Sequence, residues 1–181
     1  MTETITEYGA CRYYDFLKLE ETDYHKVKII SCSRMYSITL SDNIGKCLNL
    51  EVLDCMDNEI THLPDSLANC TKLEYINFSY NCLTELPDFF VHFKNLKELL
   101  FSQNEITHLP ESLGNCTNLK VIDCRYNKLT YLPESLGNCT KLKKLYCSNN
   151  ELTYLPGTIE CLENLVVDIE LPYKYNPPIF K

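Results

Sequence analysis

Apolar residues return along this chain at a fixed interval of 23 residues. Leu50, Leu73, Leu96, Leu119 and Leu142 open successive frames, and Leu53, Ile76, Leu99, Ile122 and Leu145 follow at position 4. Position 6 holds Cys55, Phe78, Phe101, Cys124 and Cys147. Apolar positions 4 and 6 with a polar or variable residue between them are the period-two pattern of a half-buried strand. Asparagine stands at position 9 in all five copies (Asn58, Asn81, Asn104, Asn127, Asn150), and a Leu-Pro pair starts at position 14. Proline fixes φ at the entry to the second half of each unit. Asp65, Asp88, Glu111 and Glu134 come next, where a short helical turn favours negative charge near its first N–H groups. The pattern therefore predicts strand, turn, short helical turn, and then the same again. LPESLGNCT is spelled out at Leu109–Thr117 and repeated letter for letter at Leu132–Thr140.

No single unit is long enough to bury its own apolar face, so the copies must stack into one continuous core. Written as a rule, LxxLx[CF]xxNx[LI]TxLPxxLxxCxx resembles the leucine-rich repeat family. The resemblance implies an α/β solenoid: a short curved slab with a parallel sheet on its concave face and short helical or irregular turns on its convex face. It covers residues 27–164, with frames starting at 27, 50, 73, 96, 119 and 142. The first frame is degenerate, with Met35 in place of asparagine and Ser41 in place of proline, as expected of a terminal coil. Residues 1–26 form an N-terminal cap in which Tyr8, Tyr13, Tyr14, Phe16 and Leu17 are expected to cover the core edge. Residues 165–181 form a C-terminal cap or tail, because Asp168 falls where the frame demands a core residue.

The asparagine column reads as scaffold: a buried amide at each turn can satisfy backbone groups of its own and the adjacent coil. Most of the eleven cysteines also have addresses. Cys32, Cys55, Cys124 and Cys147 take inward position 6, and Cys47, Cys70, Cys116 and Cys139 take inward position 21, where buried thiols act as small hydrophobes. The family prefers leucine at position 6, so this chain departs from it there.

Charge and motifs narrow the function. A net charge of −8 argues against nucleic acid or an anionic membrane surface as partner. The start MTETITEYGA has no basic or apolar signal region, and no apolar run approaches the roughly 18 residues of a membrane helix. A cytoplasmic protein is expected. No CxxC pair, HExxH or phosphate-binding glycine loop occurs, so no catalytic residue, metal or cofactor is assigned. His62 and His108 share position 13 without a partner set by spacing. Three NCT sequons, at Asn69, Asn115 and Asn138, are by-products of the repeat.

Function is then expected where the copies differ, at positions 2, 3, 5, 7 and 8, which face outward from the strand. Tyr75, Tyr80, Leu100, Tyr126 and Tyr146 place large side chains there, the residue types that dominate interface hot spots. Charge changes along the axis, from Glu51, Asp54, Asp57 and Glu74 early to Lys120, Arg125, Lys143 and Lys144 late. The expectation is a non-enzymatic interaction module, its oligomeric state open with a monomer favoured, that binds a protein partner through Tyr75, Tyr80, Leu100, Tyr126, Tyr146, Asp54, Asp57, Arg125 and Lys144. Rival readings are a pathogen or viral effector, including the recognition subunit of a ubiquitin ligase, and a self-associating structural protein.

Overall fold

A computed structural model describes residues 10–171. Eight three-residue strands among them form one sheet in chain order. These are β1 Ala10–Arg12, β2 Ile29–Ser31, β3 Val52–Asp54, β4 Tyr75–Asn77, β5 Glu98–Leu100, β6 Val121–Asp123, β7 Lys144–Tyr146 and β8 Val166–Asp168. All seven pairings are parallel, and from β2 to β7 each strand advances by one repeat, so that Leu53 pairs with Ile76 and Ile76 with Leu99. The second half of each coil carries a 3-10 turn: Asp42–Lys46, Asp65–Asn69, Asp88–His92, Glu111–Asn115 and Glu134–Asn138. Four of the five follow a proline, and the acidic residue opens each of them. Ser41, standing in for proline at the first, accepts a hydrogen bond from the Asn43 amide at 3.2 Å. The fold is the leucine-rich repeat solenoid that the period predicts.

Two strands lie outside the six coils of the sequence frame. Lys144 pairs with Val166 and Leu145 with Val167, a step of 22 residues rather than 23. The last unit is one residue short, so Val167 takes the core-facing place and Asp168 turns to the outer face beside Tyr146. At the other end, Tyr13 and Phe16 of the helical turn α1 (Tyr13–Phe16) are buried with Tyr24, their rings 5.7 Å apart in sequence order. Leu17 is exposed, contrary to the expectation that it covers the core. Tyr8 and the Tyr14 side chain lie outside what the structure describes. The closing helical turn is α2, Gly157–Glu160. No helix among the described residues is long and apolar enough to cross a membrane.

The asparagine column is a shared ladder. Asn104 donates from Nδ2 to the carbonyls of Phe78 and Phe101, both at 3.0 Å, while its Oδ1 accepts from the Leu83 amide at 2.9 Å. Asn81 and Asn127 repeat this one coil back and one coil on. The position-6 carbonyls of Cys55, Phe78, Phe101 and Cys124 therefore each receive two side-chain amides, one from their own coil and one from the next. The glycines of LPESLGNCT have a different reason. A Cβ on Gly114 would lie 2.3 Å from the Ser135 carbonyl oxygen, so only glycine lets the turns of adjacent coils approach this closely.

The inward cysteines are buried, as read from sequence, but they are not merely apolar. The thiols of Cys70 and Cys116 donate at 3.2 Å to the carbonyls of Ile44 and Phe90 in the preceding coil. Cys32 lies 2.8 Å from the Cys55 sulfur. Burial pushes Cys70, Cys116 and Cys147 up to about 12 and Cys139 up to about 11. At about pH 8 such thiols are almost wholly protonated and unreactive. Iodoacetamide should therefore label only the exposed Cys82 and Cys161 among the described cysteines of the native protein. Mass spectrometry should find all eleven labelled once the chain is denatured; native labelling of Cys116 would contradict the burial.

Candidate binding face

Outward side chains of the sheet come from positions 3 and 5 of each strand, flanked by positions 2, 7 and 8. Position 7 differs from the sequence expectation: Ser79, Ser102 and Ser148 are buried, too small to reach past their neighbours. Position 8 differs in another way. Arg34, Asp57, Tyr80, Gln103, Tyr126 and Asn149 all have φ between 53° and 60°, the left-handed region that non-glycine residues rarely adopt. The chain reverses there so that the following asparagine can turn inward. This lifts Tyr80 and Tyr126 onto the rim, 48% and 49% exposed, while Tyr75, Leu100 and Tyr146 remain half-buried on the sheet itself.

Position 5 has a local duty in several coils. Asp54, Asn77 and Asp123 each accept, through Oδ1, the backbone N–H two residues on, at 3.2, 3.0 and 3.2 Å. Such Asx turns end the strand, so Asp54 is partly committed to the backbone. Asp123 does more. Buried on the face, it holds Arg125 by two bonds, Nε to Oδ1 at 2.9 Å and Nη2 to Oδ2 at 2.7 Å. That forked pairing fixes the guanidinium 5.0 Å from the centre of the Tyr146 ring, within cation–π range. The bonds it donates to Asp123 also raise the Arg125 pKa, keeping it cationic. Asp168 adds a further negative charge nearby and accepts from Ser148 Oγ at 3.0 Å. Burial, with the Asp54 charge as a lesser cause, raises the Tyr75 phenol.

The early acids do not form an open negative field. Glu51 pairs with Lys28 at 3.4 Å, Glu74 with Lys97 at 2.5 Å, and Asp57 with Arg34 at 3.5 Å. Of the residues singled out in sequence, the structure thus brings Arg125 and Tyr146 together, leaves Tyr75 and Leu100 midway along the sheet, and puts Tyr126 on the rim. Asp57 and Tyr80 stand on the rim. Sequence reasoning left Asp123 and Asp168 out of the site. The i, i+2 spacing of Asp123 and Arg125 on one outward face was a usable signal; Asp168 needed the one-residue shortening to be seen. His62 and His108 are exposed, each with Nδ1 3.1 Å from the preceding threonine hydroxyl.

A parallel-sheet solenoid built on a 23-residue step defines a repeat architecture. The sequence matches the family model described as leucine rich repeat over residues 48–106, and that of leucine rich repeats in two copies over residues 117–164; the chain belongs to the leucine-rich repeat family. Among solved structures it is similar to a leucine-rich repeat protein of Leptospira interrogans, at 24% identity and TM-score 0.75, covering 82% of this chain and 38% of that one. InlP of Listeria monocytogenes is 27% identical with TM-score 0.69, over 87% of this chain and 42% of that one. InlJ of the same species, whose functional domain is described as including a cysteine ladder, is 25% identical with TM-score 0.71, over 84% and 32%. The chain thus spans less than half the length of each. A comparison with curated proteins gives no match.

Proposed function

We propose that this protein is a non-enzymatic interaction module that binds a protein partner on the concave face of its sheet, in the cytoplasm. The observation that carries this is the Arg125–Tyr146 platform. Asp123 orders both its members before any partner arrives, so little side-chain entropy remains to be lost on binding. The exposed Tyr80 and Tyr126 flank the sheet as amphipathic anchors. Thiols held protonated in the core suit a reducing compartment.

The test is a paired substitution that respects the backbone. Tyr80 and Tyr126 sit at positive φ, where alanine would add strain but asparagine is tolerated; Asn149 already occupies the same column. In an affinity capture from cell extract, Tyr80→Asn/Tyr126→Asn should lower partner recovery by about tenfold or more at unchanged thermal stability. A partner retained in full would move the binding site off this face.

A further inference from the structure

Most lysine and arginine side chains of the repeats are engaged. Between residues 27 and 164, Lys28, Arg34, Lys46, Lys97, Arg125 and Lys128 face carboxylates. Lys72 and Lys141 donate at 2.6 Å to Asn49 and Asn118, and Lys94 donates to the Asn115 carbonyl. Lys120, Lys143 and Lys144 alone in that span have neither an ion pair nor a side-chain hydrogen bond.

Their placement is not scattered. The backbone amides of Lys143 and Lys144 both bond the Lys120 carbonyl, at 2.9 and 3.1 Å, so the three side chains leave the sheet within one step of the ladder. Position 2 shows what is missing. Along that row lysine meets glutamate on the neighbouring coil twice, as Lys28–Glu51 and Lys97–Glu74, and then Lys120 meets Lys143. Like charges directly opposite on adjacent strands repel. The nearest acids lie with Arg125: Asp123 forms its ion pair, and Asp168, which accepts from Ser148, adds its charge beside the same guanidinium. Glu98, in the column of Lys144, stands two strands away, about 10 Å.

Resting on the concave-face reading above, we infer that the partner presents an acidic, extended segment of protein to this corner, its carboxylates meeting Lys120, Lys143 and Lys144 and its apolar side chains lying on Val121 and Tyr146. The complementarity is local. The molecule as a whole carries −8, which opposes a long polyanion such as nucleic acid, whereas a short acidic stretch meets only the basic corner. The aromatic and apolar residues beside the lysines add contacts that a phosphate backbone would not use.

The probes are three fluorescein-labelled oligomers: a peptide of alternating glutamate and leucine, one of alternating lysine and leucine, and oligo-dT of similar length. Anisotropy titrations at low salt should show the acidic peptide bound at least about tenfold more tightly than either other probe, the preference shrinking at about 0.15 M salt. Lys120→Gln/Lys143→Gln/Lys144→Gln should remove the preference, and the corresponding glutamate variant should transfer it to the basic peptide. Equal binding of both peptides, oligo-dT binding as tight as the acidic peptide, or an unaltered preference in the triple variants would each overturn the inference. A captured partner lost on Tyr80→Asn/Tyr126→Asn but kept by the lysine variants would leave the concave-face reading standing and overturn the acidic partner alone.

Discussion

Asn104→Leu is expected to lower stability by about 3–5 kcal/mol, a large part of the 5–15 kcal/mol typical of a folded domain. Asn104 lies at the middle of the ladder, buried, with its amide on the carbonyls of Phe78 and Phe101 and its oxygen on the Leu83 amide. Removing it does not strand the two carbonyls, because Asn81 still bonds that of Phe78 and Asn127 that of Phe101. What is stranded is the Leu83 N–H, a fully buried donor, and its desolvation dominates the loss. The same change at Asn150 removes bonds of the same kind, to the Cys124 and Cys147 carbonyls and the Leu129 amide. Asn150 is only partly buried, so water can replace what is lost, and about half the effect is expected there. Urea unfolding followed by circular dichroism measures both. Equal midpoints for the two variants would show that the ladder does not work through buried donors. Coils couple chiefly to nearest neighbours, so the Asn104 variant should also unfold over a broader range than the parent chain.

Repetition made the scaffold legible before any coordinates. Five asparagines, five Leu-Pro pairs and a constant 23-residue step admit one reading, since only a stack satisfies all of them together. The outer face was legible in kind but not in state. That Tyr80 and Tyr126 would be prominent followed from their column; that the column adopts positive φ did not, because tyrosine, glutamine and arginine, which fill four of its six places, seldom mark such turns. Glu51 and Glu74 counted as free acids in the sequence, yet each meets a lysine on one adjoining coil. Whether neighbours in a column pair or repel depends on register across 23 residues, which composition does not convey. Asp168 shows the limit most clearly. A rigid frame places it in the core, and a single deletion in the last turn moves it to the face, where it lies near Arg125. Periodicity specifies what every coil shares and is blind to a one-residue change in one of them.

Alkali should unfold this protein well before its peptide bonds are affected. The ordinary thiol value is 9.0, and burial lifts Cys70, Cys116 and Cys147 to about 12 and Cys139 to about 11 in the folded chain. Cys55 and Cys124 are also raised by burial. Folded values above unfolded ones mean that the unfolded chain releases its protons first. Stability is therefore undiminished below about pH 9 and falls as pH rises toward 11 to 12, by about 1.4 kcal/mol per unit for each such thiol. Several thiols act together, so the fall is steep enough to exhaust the stability of a typical domain within about two pH units. The thiols that donate to Ile44 and Phe90 would lose those bonds on ionising, which adds to the same trend. The measurement is the urea midpoint at a series of pH values from neutral upward. Cys70→Ala/Cys139→Ala is less stable near pH 7 because each change empties core volume. Its midpoint should nonetheless decline less steeply with pH, because two of the titrating groups are gone. Parallel curves for the variant and the parent chain would assign the alkaline transition to other groups, the buried phenol of Tyr13 first among them, since burial raises it too.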